Sequence, residues 1–563
     1  MHRALLIVEV IEHVFDCLGE DFDILSGGAN SGTLSSLART CQIFKEPALD
    51  ALWENLAGIE PLIRCLPKDV WRTSSIGELG LGPGLDTIVK LNRSLTAQDW
   101  AVIRKYTPRV RRLYQVSAGR VYSGELLELS LAPHDMFPLL PNLRHLQWSL
   151  MPSDDIPFVR MFLPSTLESI QYGISIRFSD LREASLLSAL GYLIPRVQHV
   201  QCSLYPGVHR GVDSFSRSVC CWKNLKLLYC EKLTDEALVH IAGLSTLQHL
   251  GMTLGPQSSL QGLRRLVQSS PFANLSSLSL ATCDLDAAVA FVDEMSLSLI
   301  DFHVSVLNNT CSNRIADTFK VIAKGDRALE KVKIMNWVGD ENSIGPENYA
   351  FIPQKVVMTI FTFRPLFKSN HLRVLEVDAL CSLALGDAEI IELARAFPLL
   401  EKLSLNPTYG WRTSLAITLF GLFSVACLCP HLLFLGIEFD GVATEKTNSA
   451  QNAPLNVDIF SNTAIRKLSV GNSTIDDPRT VASLLFRVMP NLECVSGRSV
   501  LSFNGEDMDW AGEYSRNSRR WARVERILSH LRSRGTNARN HEDSSDTDED
   551  TFEQAWEGFQ EVS

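Results

Sequence analysis

The sequence lacks the short motifs that mark common catalytic and metal-binding sites. Its 563 residues contain no C-x-x-C pair, no P-loop, no G-x-S-x-G and no H-E-x-x-H. The glycines Gly80, Gly82 and Gly84 do not have G-x-G-x-x-G spacing, so we interpret them as a turn. We therefore expect no cofactor, no metal site and no enzymatic activity. An enzyme site within a loop near residues 335–355 is the alternative.

Excess positive charge and long apolar runs are also missing. Lys and Arg number 53 against 64 Asp and Glu, which argues against general binding of nucleic acid. The longest apolar stretch, Ser414 to Cys429, has about 16 residues and is too short for a membrane span. Glu9 interrupts the N-terminal apolar run too early for a secretory signal. We expect a cytoplasmic and/or nuclear protein that binds neither membrane nor nucleic acid.

Cysteine is present, but not in a pattern that indicates disulfides or zinc. The 13 cysteines are an odd number, and most lie in apolar surroundings. Cys427 and Cys429 precede His431, but no second ligand cluster follows them. Reduced thiols, mostly buried, are the expected state.

A short apolar motif, L-x-x-L-x-[apolar], recurs along most of the chain. Ten copies are clear and three are weaker, and between Leu143 and Leu492 the mean step is about 29 residues. The copies begin at Leu143, Leu167, Val197, Leu225, Leu247, Leu275, Leu299, Leu329, Leu372, Leu400, Leu432, Ile465 and Leu492. This motif at this period is typical of leucine-rich repeats.

The intervals between the motifs have helical spacing. Leu238 and Ile241 follow Thr234 at helix periodicity, and Ile390 and Leu393 follow Asp387, which we predict to be an N-cap. One strand–helix unit cannot bury its apolar face alone, whereas stacked units share a continuous core. The predicted fold class is therefore α/β, a leucine-rich-repeat solenoid of horseshoe form that follows a short all-α N-terminal segment.

Five segments follow from these patterns. We predict a three-helix segment at 1–56, a helical link and N-terminal cap at 57–110, degenerate repeats at 111–507, a basic amphipathic helix at 508–535 and a disordered acidic tail at 536–563. The basic helix has two interpretations, a cap on the last repeat or a patch for nuclear import or an acidic partner. Within the tail, Ser544, Ser545 and Thr547 are candidate acid-directed phosphorylation sites.

The N-terminal segment resembles the F-box. The resemblance is carried by Leu6-Ile-Val-Glu-Val-Ile-Glu-His-Val-Phe-Asp-Cys-Leu18 and by the stretch from Leu34 to Trp53 that contains Pro47. It is similar to fungal, basidiomycete-like F-box proteins with C-terminal leucine-rich repeats. Val8 stands where that family usually has proline, and the linker between the first two helices is longer.

This resemblance implies a partner and a function. F-box proteins bind a Skp-family adaptor, which joins a cullin-RING ubiquitin ligase, and their repeats recruit an unknown protein substrate. By that likeness the adaptor-binding residues are Leu6, Ile7, Val10, Leu37, Phe44 and Trp53. The alternative is a leucine-rich-repeat scaffold without a ligase link, in which the same residues form only a small helical core.

The residues that flank the second and third apolar positions of each motif point away from the repeat core. On this basis we predict a concave substrate-binding face that includes His303, Lys333, Glu376, Lys402, Glu438 and Lys467. Their mixed charges do not identify a substrate.

Overall fold

Short strands recur where the leucine motifs predict them, and most are followed by a helix. The computed structural model describes residues 8–19, 31–75, 87–115, 123–149, 153–173, 181–203, 210–255, 270–307, 312–325, 328–336, 357–379, 381–407, 410–411, 415–442, 461–497 and 508–539. The chain divides into two compact units, Met1–Cys283 with Ala290–Ser298, and Asp284–Val289 with Leu299–Ser563. Fifteen strands belong to parallel β-sheet, eight in the first unit and seven in the second.

The first unit alternates strands and helices after an all-helical beginning. Its strands are β1 Asn55–Leu56, β2 Trp71–Ser75, β3 Thr87–Leu91, β4 Arg112–Gln115, β5 His145–Ser149, β6 Ser169–Gly173, β7 His199–Ser203, β8 Leu227–Tyr229, β9 His249–Thr253 and β10 Ser277–Thr282. Its helices are α1 Val8–Gly19, α2 Ser31–Leu37, α3 Gln42–Glu54, α4 Glu60–Arg64, α5 Ala97–Ile103, α6 Ser123–Ser130, α7 Leu181–Leu193, α8 Arg210–Cys221 and α9 Asp235–Ala242. Single turns of 3-10 helix at Thr107–Arg109 and His134–Met136, and a longer one at Ser153–Phe162, complete the connections.

The second unit continues the same alternation. Its strands are β11 Asp301–Val306, β12 Lys331–Asn336, β13 Val357–Met358, β14 Val374–Asp378, β15 Ser382–Leu383, β16 Lys402–Leu405, β17 Phe434–Gly436, β18 Lys467–Gly471 and β19 Cys494–Gly497. Its helices are α10 Leu285–Met295, whose residues are divided between the units, α11 Ser312–Ile322, α12 Ile360–Phe363, α13 Asp387–Ala396, α14 Leu419–Leu428, α15 Pro478–Val488 and α16 Met508–Arg539, with a 3-10 turn at Arg364–Lys368.

The leucine motifs stack in register within each unit. In the first unit the second apolar residue of each motif lies in the row Leu146, Ile170, Val200, Leu228, Leu250 and Leu278. In the second unit the row is Phe302, Val332, Leu375, Leu403, Leu435, Leu468 and Val495. All of these side chains are buried, each contributing about 2 kcal/mol to folding. All thirteen predicted strands are therefore confirmed as parallel strands of a mixed α/β fold.

Several local predictions differ from the structure. The segment 57–110, expected to be helical, also contains the antiparallel pair β2–β3. Asp387 is the first residue of α13 rather than its N-cap, which is Gly386. The Asp387 carboxylate instead accepts hydrogen bonds from the amide and hydroxyl of Thr418, both at 2.8 Å. The insertion expected near 335–355 and the acidic tail lie largely or entirely outside the described residues.

The C-terminal helix α16 packs on the end of the second unit. Trp521, Val524 and Leu528 are buried, and they lie on one side of the helix at i, i+3 and i+7. The helix contacts α15 and β19, the last helix and strand before it. It thus covers apolar surface that the last repeat leaves without a following neighbour, which is what a terminal cap does. No helix in the described part of the chain is long and apolar enough to cross a membrane.

A buried carboxylate fixes the start of α5. Asp99 is 3% exposed, and it forms a capping box with Thr96 and an ion pair of 2.7 Å with Arg93. The hydrogen bond from Arg93 lowers the pKa of Asp99 to about 2, helped by the amide and hydroxyl of Thr96 and opposed by burial. The charged form is therefore the one that stabilises the fold.

We expect Asp99→Asn to lower the free energy of unfolding by about 2 kcal/mol at pH 7. Because the folded pKa lies below the ordinary value of 3.8, this contribution is complete above about pH 5 and is lost as the pH falls towards 2. Urea unfolding of both proteins from pH 7 to pH 3 measures it. A difference that stays constant over this range would contradict the assignment.

Candidate protein-binding surfaces

The first three helices form a small unit with its own core. Ile11 and Phe15 of α1, Leu34 of α2, and Ala48 and Ala51 of α3 make one buried cluster. The rings of Phe15 and Phe44 meet edge to face, with centroids 5.7 Å apart. Because the apolar residues of α1 follow helical spacing, one side of α1 is committed to this core.

A salt-bridge pair joins this unit to the 3-10 turn at Thr107–Arg109. Arg109 forms ion pairs with Glu46 and Asp50, which lie one turn apart on α3. The hydrogen bond from Arg109 lowers the pKa of Glu46. These contacts fix α3 against the chain that enters β4.

The predicted adaptor-binding residues fall into three groups. Leu6 and Ile7 lie outside the described residues. Val10 is 38% exposed, whereas Leu37 and Phe44 are half-buried against the three-helix core. The structure brings the described residues of this set into one helical unit except for the side chain of Trp53.

Trp53 is buried within its own chain. Its side chain is 7% exposed, and its ring stacks on Tyr106 with centroids 4.5 Å apart. The expectation that it faces a partner is corrected here, because its apolar surface is already covered by the segment between α5 and β4. The sequence gave no sign of Tyr106, which is 53 residues away.

The helix α1 also exposes apolar residues that were expected in the core. Val10 and Val14 are 38% and 43% exposed, and with Cys17 they lie on one side of α1 at i, i+4 and i+7. Ile43, at the start of α3, is 46% exposed. We call Val10, Val14 and Cys17 the α1 stripe. Spacing alone could have identified it, because these positions are offset from Ile11 and Phe15.

The sheet of the first unit presents a neutral polar face. Gln147, Gln171 and Gln201 lie in direct register on three neighbouring strands. Tyr114 and Tyr229 continue the same row on either side. The row contains no charged side chain, so its binding capacity rests on amide and phenol hydrogen bonds and on aromatic surface. We call these five residues the glutamine row.

Histidines lie two residues before the glutamine row on the same face. His145 and His199 are half-buried, and burial lowers the pKa of both, with further lowering by the charges of Arg112 and Lys226 respectively. Lowered values keep both imidazoles neutral near pH 7. The face is therefore a largely uncharged hydrogen-bonding surface, although the chain carries a net charge of −11.

One glycine lets Tyr229 lie flat on the sheet. A Cβ placed on Gly251, its neighbour in register, would lie 2.1 Å from the Tyr229 ring. Any side chain at position 251 would displace the ring. The glycine thus defines where one end of the glutamine row lies.

The sheet of the second unit presents a charged face instead. The Lys333 and Lys402 ammonium groups lie 3.2 Å and 2.6 Å from the Glu376 carboxylate, which they flank. Lys402 also lies 5.0 Å from the centroid of the Phe434 ring. Lys331 pairs with Asp301 at 3.4 Å. We call Lys333, Glu376 and Lys402 the charge triad.

Burial and charge act in opposite directions on Glu376. Burial alone raises its pKa, but the hydrogen bond from Lys402 and the charge of Lys333 outweigh burial, so the pKa lies below its ordinary value. His303, which pairs in register with Lys333, has a pKa lowered by burial and by that lysine. Glu376 is thus ionised and His303 neutral near pH 7.

We expect Glu376→Gln to lower the free energy of unfolding by about 1 to 2 kcal/mol at pH 7, since two lysines lose their shared partner. Because the folded pKa of Glu376 is depressed, the difference from the wild type shrinks as the pH falls below its ordinary value near 4.5. Denaturant unfolding at pH 7 and pH 4 measures it. The matched control is Glu401→Gln, whose carboxylate forms an exposed pair with Arg373 and is expected to change stability by less than about 0.5 kcal/mol.

Five of the six residues predicted for the substrate face lie where the alternation placed them. His303, Lys333 and Glu376 follow one another in register, and Lys402 joins them through its ion pair. Lys467 is exposed on β18, two strands beyond Lys402 in the same register row.

Glu438 is the exception, and its prediction is corrected. It is 4% exposed, and its carboxylate accepts hydrogen bonds from the backbone amides of Trp411 at 2.9 Å and Asn472 at 2.8 Å. The strand β17 ends at Gly436, so alternation no longer applies two residues later. Glu438 therefore organises backbone in the interior and is not available to a partner.

The comparisons with known proteins give no family assignment. No protein-family profile matches the chain, and no curated protein matches it. Among solved structures, it is similar to the crystal structure of the Rad7 and Elc1 complex in yeast, with a TM-score of 0.33 and 14% identity over 63% of this chain and 82% of that chain. A TM-score of this size assigns neither fold nor function.

Proposed function

We propose that this chain is the substrate-recognition adaptor of a Skp–cullin–F-box type ubiquitin ligase in the cytoplasm or nucleus. In this proposal the three-helix unit is an F-box that binds a Skp-family adaptor. The strand–helix units that follow form a leucine-rich-repeat solenoid that binds a protein substrate. The observation that carries the proposal is the α1 stripe, an exposed apolar surface on a helix whose other side already packs into a core.

The sequence resemblance supports the same assignment. The three helices α1 to α3 cover the residues that resemble the F-box, and strands that recur about every 29 residues come after them. An apolar stripe on such a unit is suited to a helix-packing partner, because burial of Val10 and Val14 would remove apolar surface from water.

The mechanism proposed is positioning without a covalent step by this chain. A substrate held on a sheet face is kept near the ligase core, so its lysines meet the ubiquitin-charged enzyme at high effective concentration. The two units offer different chemistry for this contact. The glutamine row suits uncharged hydrogen-bonding segments, and the charge triad with Lys467 suits segments that carry carboxylates.

The test is co-elution of the full-length chain with a purified fungal Skp-family adaptor. We expect a complex with the wild type and at least about 100-fold weaker binding by Val10→Asp plus Val14→Asp, which places two charges in the apolar contact. Both residues are exposed, so the double variant is expected to keep its fold.

Val442→Asp is the matched control, since Val442 is 41% exposed and lies in the second unit. It is expected to bind like the wild type. If a folded wild-type chain forms no complex, the ligase assignment is wrong and the alternative of a repeat scaffold stands. If all variants bind equally, the adaptor uses a surface other than the α1 stripe.

A further inference from the structure

The C-terminal helix α16 has two distinct sides. On the buried side, the Trp521 indole donates a hydrogen bond of 2.8 Å to the carbonyl of Ser473, and Asn517 contacts Asn472. These contacts fix the rotation of the helix about its own axis. The opposite side consequently has a defined set of outward residues.

That outward side carries a row of arginines. Arg516, Arg519, Arg523 and Arg526 follow one another at i, i+3, i+7 and i+10 and are all exposed. Among the described residues, none of the four forms an ion pair, although the neighbouring Arg520 pairs with Asp476. We call these four residues the arginine stripe. Four like charges along about 15 Å of helix repel one another unless an anion lies beside them.

The chain itself supplies an anionic segment just beyond this helix. Residues 543–553 contain six carboxylates, and no Lys or Arg follows Arg539. The six are Asp543, Asp546, Asp548, Glu549, Asp550 and Glu553. This acidic segment lies outside the described residues, so its position is inferred from length and charge.

The length of the acidic segment matches the arginine stripe. If residues 540–542 reverse the chain, the eleven residues 543–553 span about 37 Å at about 3.4 Å per residue. The same distance covers about 25 residues of α-helix at 1.5 Å per residue. Counted back from Arg539, it extends beyond Arg516 and so includes all four arginines.

We propose that the acidic segment 543–553 lies antiparallel along α16 and covers the arginine stripe. A single exposed ion pair contributes less than about 1 kcal/mol, but several pairs formed by a tethered segment benefit from a millimolar effective concentration. The contact blocks other acidic partners from the stripe and weakens as salt is added. Phosphorylation at Ser544, Ser545 or Thr547 strengthens it, since each phosphate adds about two negative charges.

The test uses full-length chains and a fluorescent peptide of residues 540–556 added in trans. In one chain the six carboxylates of the acidic segment are changed to Asn or Gln. We expect the peptide to bind this chain with a micromolar dissociation constant at 50 mM salt and at least tenfold more weakly at 500 mM salt. The wild type, whose own segment occupies the stripe, is expected to bind the peptide at least tenfold more weakly.

A further pair of variants locates the site. With the tail neutralised, Arg516→Gln, Arg519→Gln, Arg523→Gln and Arg526→Gln together are expected to abolish peptide binding. The matched control removes four exposed arginines elsewhere, Arg72, Arg160, Arg217 and Arg395, and is expected to bind the peptide within twofold of its parent. Equal binding by the wild-type and neutralised-tail chains, binding by neither, or equal loss in both arginine variants each overturns the proposal. The test is independent of the adaptor-binding assignment.

Discussion

Replacement of Trp521 by alanine is expected to lower the free energy of unfolding of the second unit by about 3 to 5 kcal/mol. The side chain is 2% exposed, and its ring meets Phe439 edge to face with centroids 5.7 Å apart. Its indole also donates to the carbonyl of Ser473. The alanine variant therefore loses buried apolar area, an aromatic contact and a buried hydrogen bond together.

The effect of Trp521 can be separated from that of helix propensity. Trp521→Phe retains most of the ring contact and is expected to cost about 1 to 2 kcal/mol, chiefly through the unpaired Ser473 carbonyl. Arg523→Ala lies two residues away on the exposed side and is expected to cost less than about 0.5 kcal/mol. Chemical denaturation of all three checks the order. Equal stability of Trp521→Ala and Arg523→Ala would show that α16 does not cap the unit.

Replacement of Asn406 by alanine is expected to cost about 3 kcal/mol or more. Asn406 is fully buried, and its amide oxygen accepts from the Ala379 amide at 2.9 Å while its amide nitrogen donates to the Cys381 carbonyl at 2.7 Å. Each of these backbone groups would be left buried and unpaired, at about 1 to 3 kcal/mol apiece. The φ of Asn406 is +50°, a conformation in which alanine is strained.

Two further variants separate the causes at this position. Asn406→Gly removes the hydrogen bonds but not the backbone freedom, so it is expected to be somewhat less destabilising than Asn406→Ala. Asn406→Asp retains the acceptor and loses the donor to Cys381. Thermal and urea unfolding measure the series. If alanine is tolerated within about 1 kcal/mol, the Ala379 and Cys381 groups have other partners and our account of this turn is wrong.

The strand positions could be predicted because each depends on a local pattern. A leucine three residues before a second apolar residue, repeated about every 29 residues, placed all thirteen strands in their observed registers. The strands β1 and β4 were missed. Two residues at Asn55–Leu56 give no period, and Arg112–Gln115 lacks the leading leucine. The division into two units was not predicted either, because a repeat pattern does not report how contacts are distributed.

The candidate surfaces were less predictable because they depend on packing between distant segments. Alternation placed Lys333 and Glu376 on one face correctly, but their pairing joins strands separated by 43 residues in sequence. Trp53 and Glu438 were misjudged for one reason: each is covered by a segment, at Tyr106 and at Trp411 with Asn472, that no local pattern identifies. The glutamine row became recognisable as a set only once the registers were known.

Titration calorimetry of the full-length chain with a purified Skp-family adaptor is the most direct test of the ligase assignment. The account predicts one-to-one binding with a dissociation constant below about 1 μM, corresponding to more than about 8 kcal/mol of binding free energy. It also predicts that the heat disappears with the Val10→Asp plus Val14→Asp variant. Absence of binding by a wild-type chain with a cooperative unfolding transition would contradict it.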